Sequence, residues 1–299
     1  MAVGTLTMKT TYRSLVVATC LVAALAGCAV NPATGRRQLN FLGTQQEIAL
    51  GVEAAPNFQQ SYGGPIPSAQ VNQYVTDLGH RLADVSERPD LPWEFHAVDS
   101  AVVNAFALPG GKVFISRALL EKMDSEAQLA GVLGHEVGHV AAQHIGQRMS
   151  QSMLIQGALS VGLSVATRSS NAAWLDILGK GTEFGASTYL LKFGRDHESE
   201  ADALGLRYMS RLGYNPAAQL KVMEVLNEAA KGPRPPEFLS THPYPETRIK
   251  RIHKLLAEEY ADHGEPGRYT EGQDTYKAEV LDRLSLLPPA QHNPQTKGE

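Results

Sequence analysis

Five consecutive residues, His135-Glu136-Val137-Gly138-His139, carry the most specific chemistry in the chain. On an α-helix, residues i and i+4 stand about 6 Å apart along the axis and about 40° apart around it. Two imidazoles at that spacing can grip one metal ion. Glu136 projects from the adjacent face, where its carboxylate reaches water beside the metal rather than the metal itself. Metal-assisted hydrolysis of an amide needs this arrangement. With ten histidines in the chain, a chance match is on the order of one in a hundred. The bland alternative is a buried helix whose histidines bond each other or the backbone.

A third ligand discriminates between these readings. A continuation with Gly at 142 and His at 145 would supply it locally, but those positions hold Ala142 and Ile145. Downstream, residues 195–202 (RDHESEAD) put a dense acidic cluster on a second helix. Glu198 and Asp202 are i and i+4 and share a face, whereas Glu200 points about 200° away from Glu198. A face that offers Glu198 to a metal therefore also presents Asp202 to a ligand imidazole. A carboxylate in that place fixes the tautomer of the imidazole and raises its basicity.

The elements that must position these groups follow from local pattern. Thr44 to Glu47 reads as a capping box that opens a short helix to about Glu53. Val71, Tyr74, Val75, Leu78 and Leu82 recur at helical spacing, which predicts an amphipathic helix over 68–86. Residues 92–98, 101–108 and 112–116 read as three strands of a small antiparallel sheet, with Pro109-Gly110-Gly111 as a turn. Ser125 to Gln128 is a second capping box, and its helix is expected to run to about Gln151. Residues 153–192 are apolar but rich in Gly, Ala and Ser, and predict two helices with a break near 168–171. The polar residues Gln156, Asp176, Lys180 and Glu183 weigh against a membrane hairpin there. Further helices are expected at about 195–211, 216–230 and 245–260, the last with Ile249, Ile252, Leu255 and Leu256 on one face. Residues 263–299 turn polar and read as a tail with a short helix at 276–286. The fold class is α+β and mostly helical, with one domain over residues 44–262.

The HExxH helix, the later Glu198-x-x-Ala201-Asp202 and His242-Pro243 before a terminal helix together resemble the HtpX/CAAX-prenyl-endopeptidase family of gluzincin metallopeptidases. Residues 104–111 (NAFALPGG) are similar to that family's strand before the active-site helix. The resemblance covers about residues 40–260, and its nearest branch is the periplasmic lipoproteins of the BepA and LoiP types. It implies a zincin-like domain holding one Zn2+ per chain through His135, His139 and Glu198. It implies Glu136 as general base and Asp202 behind a ligand; Glu200 is the runner-up ligand. His197 is expected to be a polar neighbour, and His144 and His80 surface residues. The resemblance gives His242, in the proline-stiffened stretch 240–245, two roles: donor to the oxyanion, or a resting cap on the zinc. The strand at 101–108 is the expected platform for a polypeptide substrate bound as an extended strand. The implied activity is endopeptidase cleavage of misfolded or stalled envelope proteins, with an outer-membrane assembly machinery as a candidate partner. The rivals are a zinc-containing chaperone or assembly factor with little hydrolysis, and an aminopeptidase. The sequence departs from the family in two places: the long membrane-spanning helices of the HtpX and CAAX branches and the C-terminal tetratricopeptide repeats of BepA-type proteins are not read in it.

The N-terminus predicts an address. Lys9 and Arg13 precede an apolar run over 14–26, too short to span a bilayer and right for a secretory signal. The run ends in Leu25-Ala26-Gly27-Cys28, which resembles a bacterial lipobox with cleavage before Cys28 and lipid on its thiol. Residues 1–27 are then a signal peptide and 28–43 a lipidated tether. Ala29 after the cysteine suggests an outer-membrane lipoprotein facing the periplasm. Two cysteines cannot make a disulfide framework. A hydrophobic share of 43% excludes a disordered chain, and a net charge of -4 without basic runs argues against nucleic-acid binding.

Overall fold

The computed structural model describes residues 28–167, 192–232 and 235–291. Two short strands, β1 (Cys28–Val30) and β2 (Arg37–Leu39), pair as an antiparallel hairpin. Asn31, Gln38 and Asn40 are buried, so the stretch expected as a tether rests on the domain at these three residues. Polar side chains hold the hairpin down: Gln38 donates to Gln143 and accepts from Gln147.

Helix α1 (Thr44–Ser61) runs past the expected end at Glu53 and through Pro56. Burial of Ala54, Ala55 and Phe58 outweighs the hydrogen bond that the proline removes. Its capping also departs from expectation. The Gly43 amide donates to Gln46 Oε1, whereas Glu47 is buried and ion-paired with Arg88 at 2.6 Å. Arg88 also donates to the Val140 carbonyl, tying α1 to the end of the HExxH helix. Helix α2 (Ala69–Asp84) is as predicted, with Ser68 as its cap and Val71, Val75, Leu78 and Leu82 inside.

The sheet consists of β3 (Glu94–Val98), β4 (Ala105–Leu108) and β5 (Lys112–Ser116) in the order β3-β5-β4. It is mixed, not wholly antiparallel: β4 and β5 form an antiparallel hairpin, and β3 pairs with β5 in parallel. The turn at Gly110-Gly111 fixes the hairpin locally, and the chain from β3 crosses past β5 to reach the far edge. Burial of every residue of β5 is what a central strand requires. Gly110 has φ +71°, and a side chain there would meet the Ile48 backbone at 2.5 Å.

Helix α3 (Glu126–Ala141) starts at Ser125, whose hydroxyl accepts from the Gln128 amide, and is buried from Ala127 to Ala141. It stops ten residues short of the expected end. Gln143 adopts φ +58°, and a new helix, α4 (His144–Thr167), starts in another direction. Residues 168–191 of the apolar 153–192 segment, with the expected break and second helix, lie outside the described residues. Helices α5 (Arg195–Arg211), α6 (Ala217–Ala229) and α7 (Pro245–Glu259) match expectation closely. Glycine lets α3 and α5 touch backbone to backbone: a Cβ on Gly134 would stand 3.3 Å from Gly205 Cα, and one on Gly138 would stand 3.1 Å from the Ala201 carbonyl. That contact brings the HExxH residues and the acidic cluster together.

The expected tail is also part of the body. Residues 273–285 form helical turns around a π turn at Lys277–Leu281, and bury Tyr276, Val280 and Leu284. Arg117, itself buried, donates to the carbonyls of Leu284 and Pro288. Packing therefore continues past the boundary expected at residue 262. Among the described residues, no helix is long and apolar enough to cross a membrane.

Candidate metal centre

Four buried side chains from three parts of the fold converge on one point. His135 and His139 come from α3, Glu198 from the first turn of α5, and His242 from the loop before α7. Their potential ligand atoms all lie within 4.8 Å of one another. His139 Nε2 is 3.1 Å from His135 Nε2 and 3.5 Å from Glu198 Oε1. His242 Nδ1 is 3.2 Å from His135 Nε2 and 3.1 Å from Glu198 Oε1.

Local geometry explains each placement. The i,i+4 spacing turns both α3 histidines to one side, and each presents Nε2 to the centre. Tyr244 takes φ +68°, which bends the loop into α7 behind His242. Phe193, whose amide donates to the Thr241 carbonyl, stacks on His139 at 4.0 Å between ring centres and walls the site.

Glu136 is fully buried at the same centre, with Oε1 3.5 Å from His242 Nε2. Neither of its carboxylate oxygens has a hydrogen-bond partner among the described residues. A buried carboxylate without donors is costly unless a cation or a reacting proton compensates it. Inward-facing imidazole nitrogens gathered around the buried Glu198 carboxylate suit a divalent ion with mixed nitrogen and oxygen ligands. The donor set fits zinc.

The surroundings hold the donors in the right state. Burial pushes the His139 imidazole well below its ordinary pKa, keeping it neutral and free to bind a metal. Burial alone would raise the Glu198 carboxyl, but the charges of Arg248 and His242 prevail and hold it well below the usual range. Burial also works to raise Asp202, and there the charge and hydrogen bonds of Arg248 win, leaving it at about 2. His242 is shifted upward: burial opposes its charge, and the carboxylates of Glu198 and Glu136 more than offset that.

Behind the centre, Asp202 Oδ1 is 3.0 Å from His135 Nδ1. Arg248 donates to both Asp202 oxygens, at 2.6 and 2.9 Å, and its Nη1 lies 2.8 Å from Glu198 Oε2 as an ion pair. Gln219 adds a further bond to Asp202 at 3.0 Å. Arg248 is absent from the sequence-based set. Its signal was present: it falls four residues before Ile252 on the buried face of α7, an unusual place for a cation.

The other expected residues divide cleanly. Glu200, the runner-up ligand, stands outside the centre and faces His144 and Asn31. His144 is fully buried, contrary to the expectation of a surface residue, because the left-handed Gln143 folds it back against His139. His197 stacks on His144 as a polar neighbour, and His80 is exposed. Cys28 begins β1 and pairs in register with Leu39.

The chain is similar to known metallopeptidases. Residues 69–256 match the model of peptidase family M48. The chain is 35% identical over 186 residues to the beta-barrel assembly-enhancing protease of Escherichia coli K12, covering 60% of this chain and 37% of that protein. It is 32% identical over 232 residues to the mitochondrial metalloendopeptidase OMA1 of Schizosaccharomyces pombe, covering 76% of this chain and 66% of that protein. A zebrafish (Danio rerio) metalloendopeptidase OMA1 is 30% identical over 245 residues, covering 76% of this chain and 50% of that protein. The alignments thus reach from 37% to 66% of these relatives' lengths.

Proposed function

The chain belongs to peptidase family M48, and from that premise we propose that it is a zinc-dependent endopeptidase of the bacterial envelope. The observation that carries the reading is the buried carboxylate of Glu136, without a hydrogen bond among the described residues, beside the four-donor cluster. A protein that only bound polypeptides would have no use for that buried acid. This disfavours a chaperone with little hydrolysis.

His135, His139 and Glu198 would hold the zinc. Bound there, zinc would supply Lewis acidity, polarising a carbonyl and making water easier to deprotonate. Glu136 takes a proton from the attacking water as its oxygen bonds to the peptide carbonyl carbon. The same carboxyl then gives that proton to the amine nitrogen as the C–N bond breaks. Arg248 keeps Glu198 and Asp202 ionised, and Asp202 accepts from His135 Nδ1, so that Nε2 keeps its lone pair for the metal.

His242 acts in this reading as a resting cap, because its Nδ1 already stands among the ligand atoms. The segment that carries it is fastened to the approach of β4. The Phe238 amide donates to the Val103 carbonyl, and Asn104 Nδ2 donates to Glu237 at 2.9 Å. β4 is an edge of the sheet, and its four residues are buried. An extended peptide adding to that edge would displace the segment and take His242 away from the centre. The rival role, donation to the oxyanion, predicts the opposite effect of removing the side chain.

The natural substrates on this reading are misfolded or stalled envelope proteins. The name of the Escherichia coli relative, a β-barrel assembly-enhancing protease, supports that setting. The sequence ending in Cys28 supports a lipid anchor that faces the domain into the periplasm. The deciding experiment follows casein cleavage by wild type and Glu136→Gln, with zinc content measured for both. A fall of about 100- to 10,000-fold at unchanged zinc is expected. Equal cleavage by the two proteins overturns the assignment of the base.

A further inference from the structure

The two ligand histidines point Nε2 at the centre, and each Nδ1 needs a partner. For His135 that partner is Asp202. For His139 it is His144, whose Nδ1 lies 3.0 Å away and whose Nε2 lies 3.3 Å from Glu200 Oε2. The other Glu200 oxygen accepts from Asn31 Nδ2 at 3.0 Å. Asn31 is the first residue of the turn between β1 and β2 and is buried.

Hydrogen-bond polarity can be followed along this chain without ambiguity. Asn31 Oδ1 accepts from the amides of Ala33 and Thr34, so its NH2 group must face Glu200. The Glu200 carboxylate can only accept, so the proton of a neutral His144 lies on Nε2. His144 Nδ1 is then an acceptor, and the proton of His139 must lie on Nδ1. That leaves the lone pair of His139 on Nε2, aimed at the centre. Stacking fixes the ring planes, with His144 against His197 at 4.3 Å and His139 against Phe193 at 4.0 Å.

We propose that His144 and Glu200, held in place by Asn31, are positioning residues that fix the tautomer and orientation of His139 as a metal ligand. The hairpin that follows Cys28 is thereby a built part of the metal centre. This inference rests on the metal-centre reading above. It deepens that reading by joining one ligand to the N-terminal segment, next to the residue that would carry the anchor.

The test measures zinc affinity of the purified full chain by competition with a chromophoric chelator, and the visible spectrum of the cobalt(II)-substituted protein. His144→Phe keeps a flat ring for stacking but removes the acceptor. It should weaken zinc binding about 10- to 100-fold and change the cobalt spectrum, with little change in the melting temperature of the metal-free protein. His144→Gln returns an oxygen acceptor and should bind zinc more tightly than His144→Phe. Glu200→Ala, at a partly exposed site, gives a second route should the His144 variants fold poorly, and should also weaken zinc and alter the spectrum. Wild-type affinity and spectrum in His144→Phe or in Glu200→Ala would overturn the proposal. A wild-type protein that bound no zinc would instead overturn the metal centre itself.

Discussion

His135 and His139 sit one helical turn apart and face the same point, yet they are supported from opposite parts of the molecule. Behind His135 stands a charged block from α5, α6 and α7: Asp202, clamped by the fork of Arg248 and by Gln219. Behind His139 stands a hydrogen-bonded chain of neutral and charged side chains, His144, Glu200 and Asn31, that ends in the N-terminal hairpin. The first support is internal to the helical core and cannot yield without unpairing buried charges. The second passes through a segment that core packing does not enclose. One of the two histidines is therefore held by the helical core, and the other also by the hairpin.

The largest effect is expected on the His135 side. Asp202→Ala removes the partner of His135 and leaves Arg248 short of a counter-charge. Breaking a buried pair in this way costs about 3–5 kcal/mol, which urea unfolding of the metal-free protein would register. Zinc affinity should also fall, toward the upper end of the roughly 10- to 100-fold range for a lost supporting residue. Arg248→Met comes next. It leaves two buried carboxylates without their cation, so the metal-free protein should lose several kcal/mol. Zinc beside Glu198 offsets part of that, and the zinc-dependent rise in melting temperature should exceed that of wild type. A smaller or equal rise would show that Arg248 does not share the neutralisation of Glu198 with the metal.

On the His139 side, losses should decrease along the chain of contacts. Asn31→Ala, the most distant, should weaken zinc binding less than Glu200→Ala. An Asn31→Ala effect as large as that of Asp202→Ala would erase the distinction between the two supports. His242→Ala is the mildest change for the metal. It should leave zinc bound and raise basal casein cleavage, whereas reduced cleavage would favour the oxyanion role.

The parts of this site that local rules govern were legible in the sequence. The HExxH helix announces itself through i,i+4 spacing and the Ser125 cap, and the pairing of Glu198 with Asp202 follows from the same spacing on α5. What local rules do not reach was missed. A helix continued through Gln143 would turn His144 about 140° away from His139, and only the left-handed residue brings it back. Arg248 lies among many charged residues in α7, and its burial depends on acids from a different helix. The parallel pairing of β3 with β5 is a long-range choice that no turn signal encodes. The packing of residues 273–285 was half visible: Tyr276, Val280 and Leu284 form an i,i+4,i+8 stripe, but the polar residues around it mimic a tail.

The central claim is that His135, His139 and Glu198 hold a zinc ion on which Glu136 depends for catalysis. Zinc per chain, measured on wild type, Glu198→Ala and Glu136→Gln purified in parallel, tests it most directly. The account predicts one zinc per chain in wild type and in Glu136→Gln, and little or none in Glu198→Ala. A Glu198→Ala protein that retained its full zinc would contradict it.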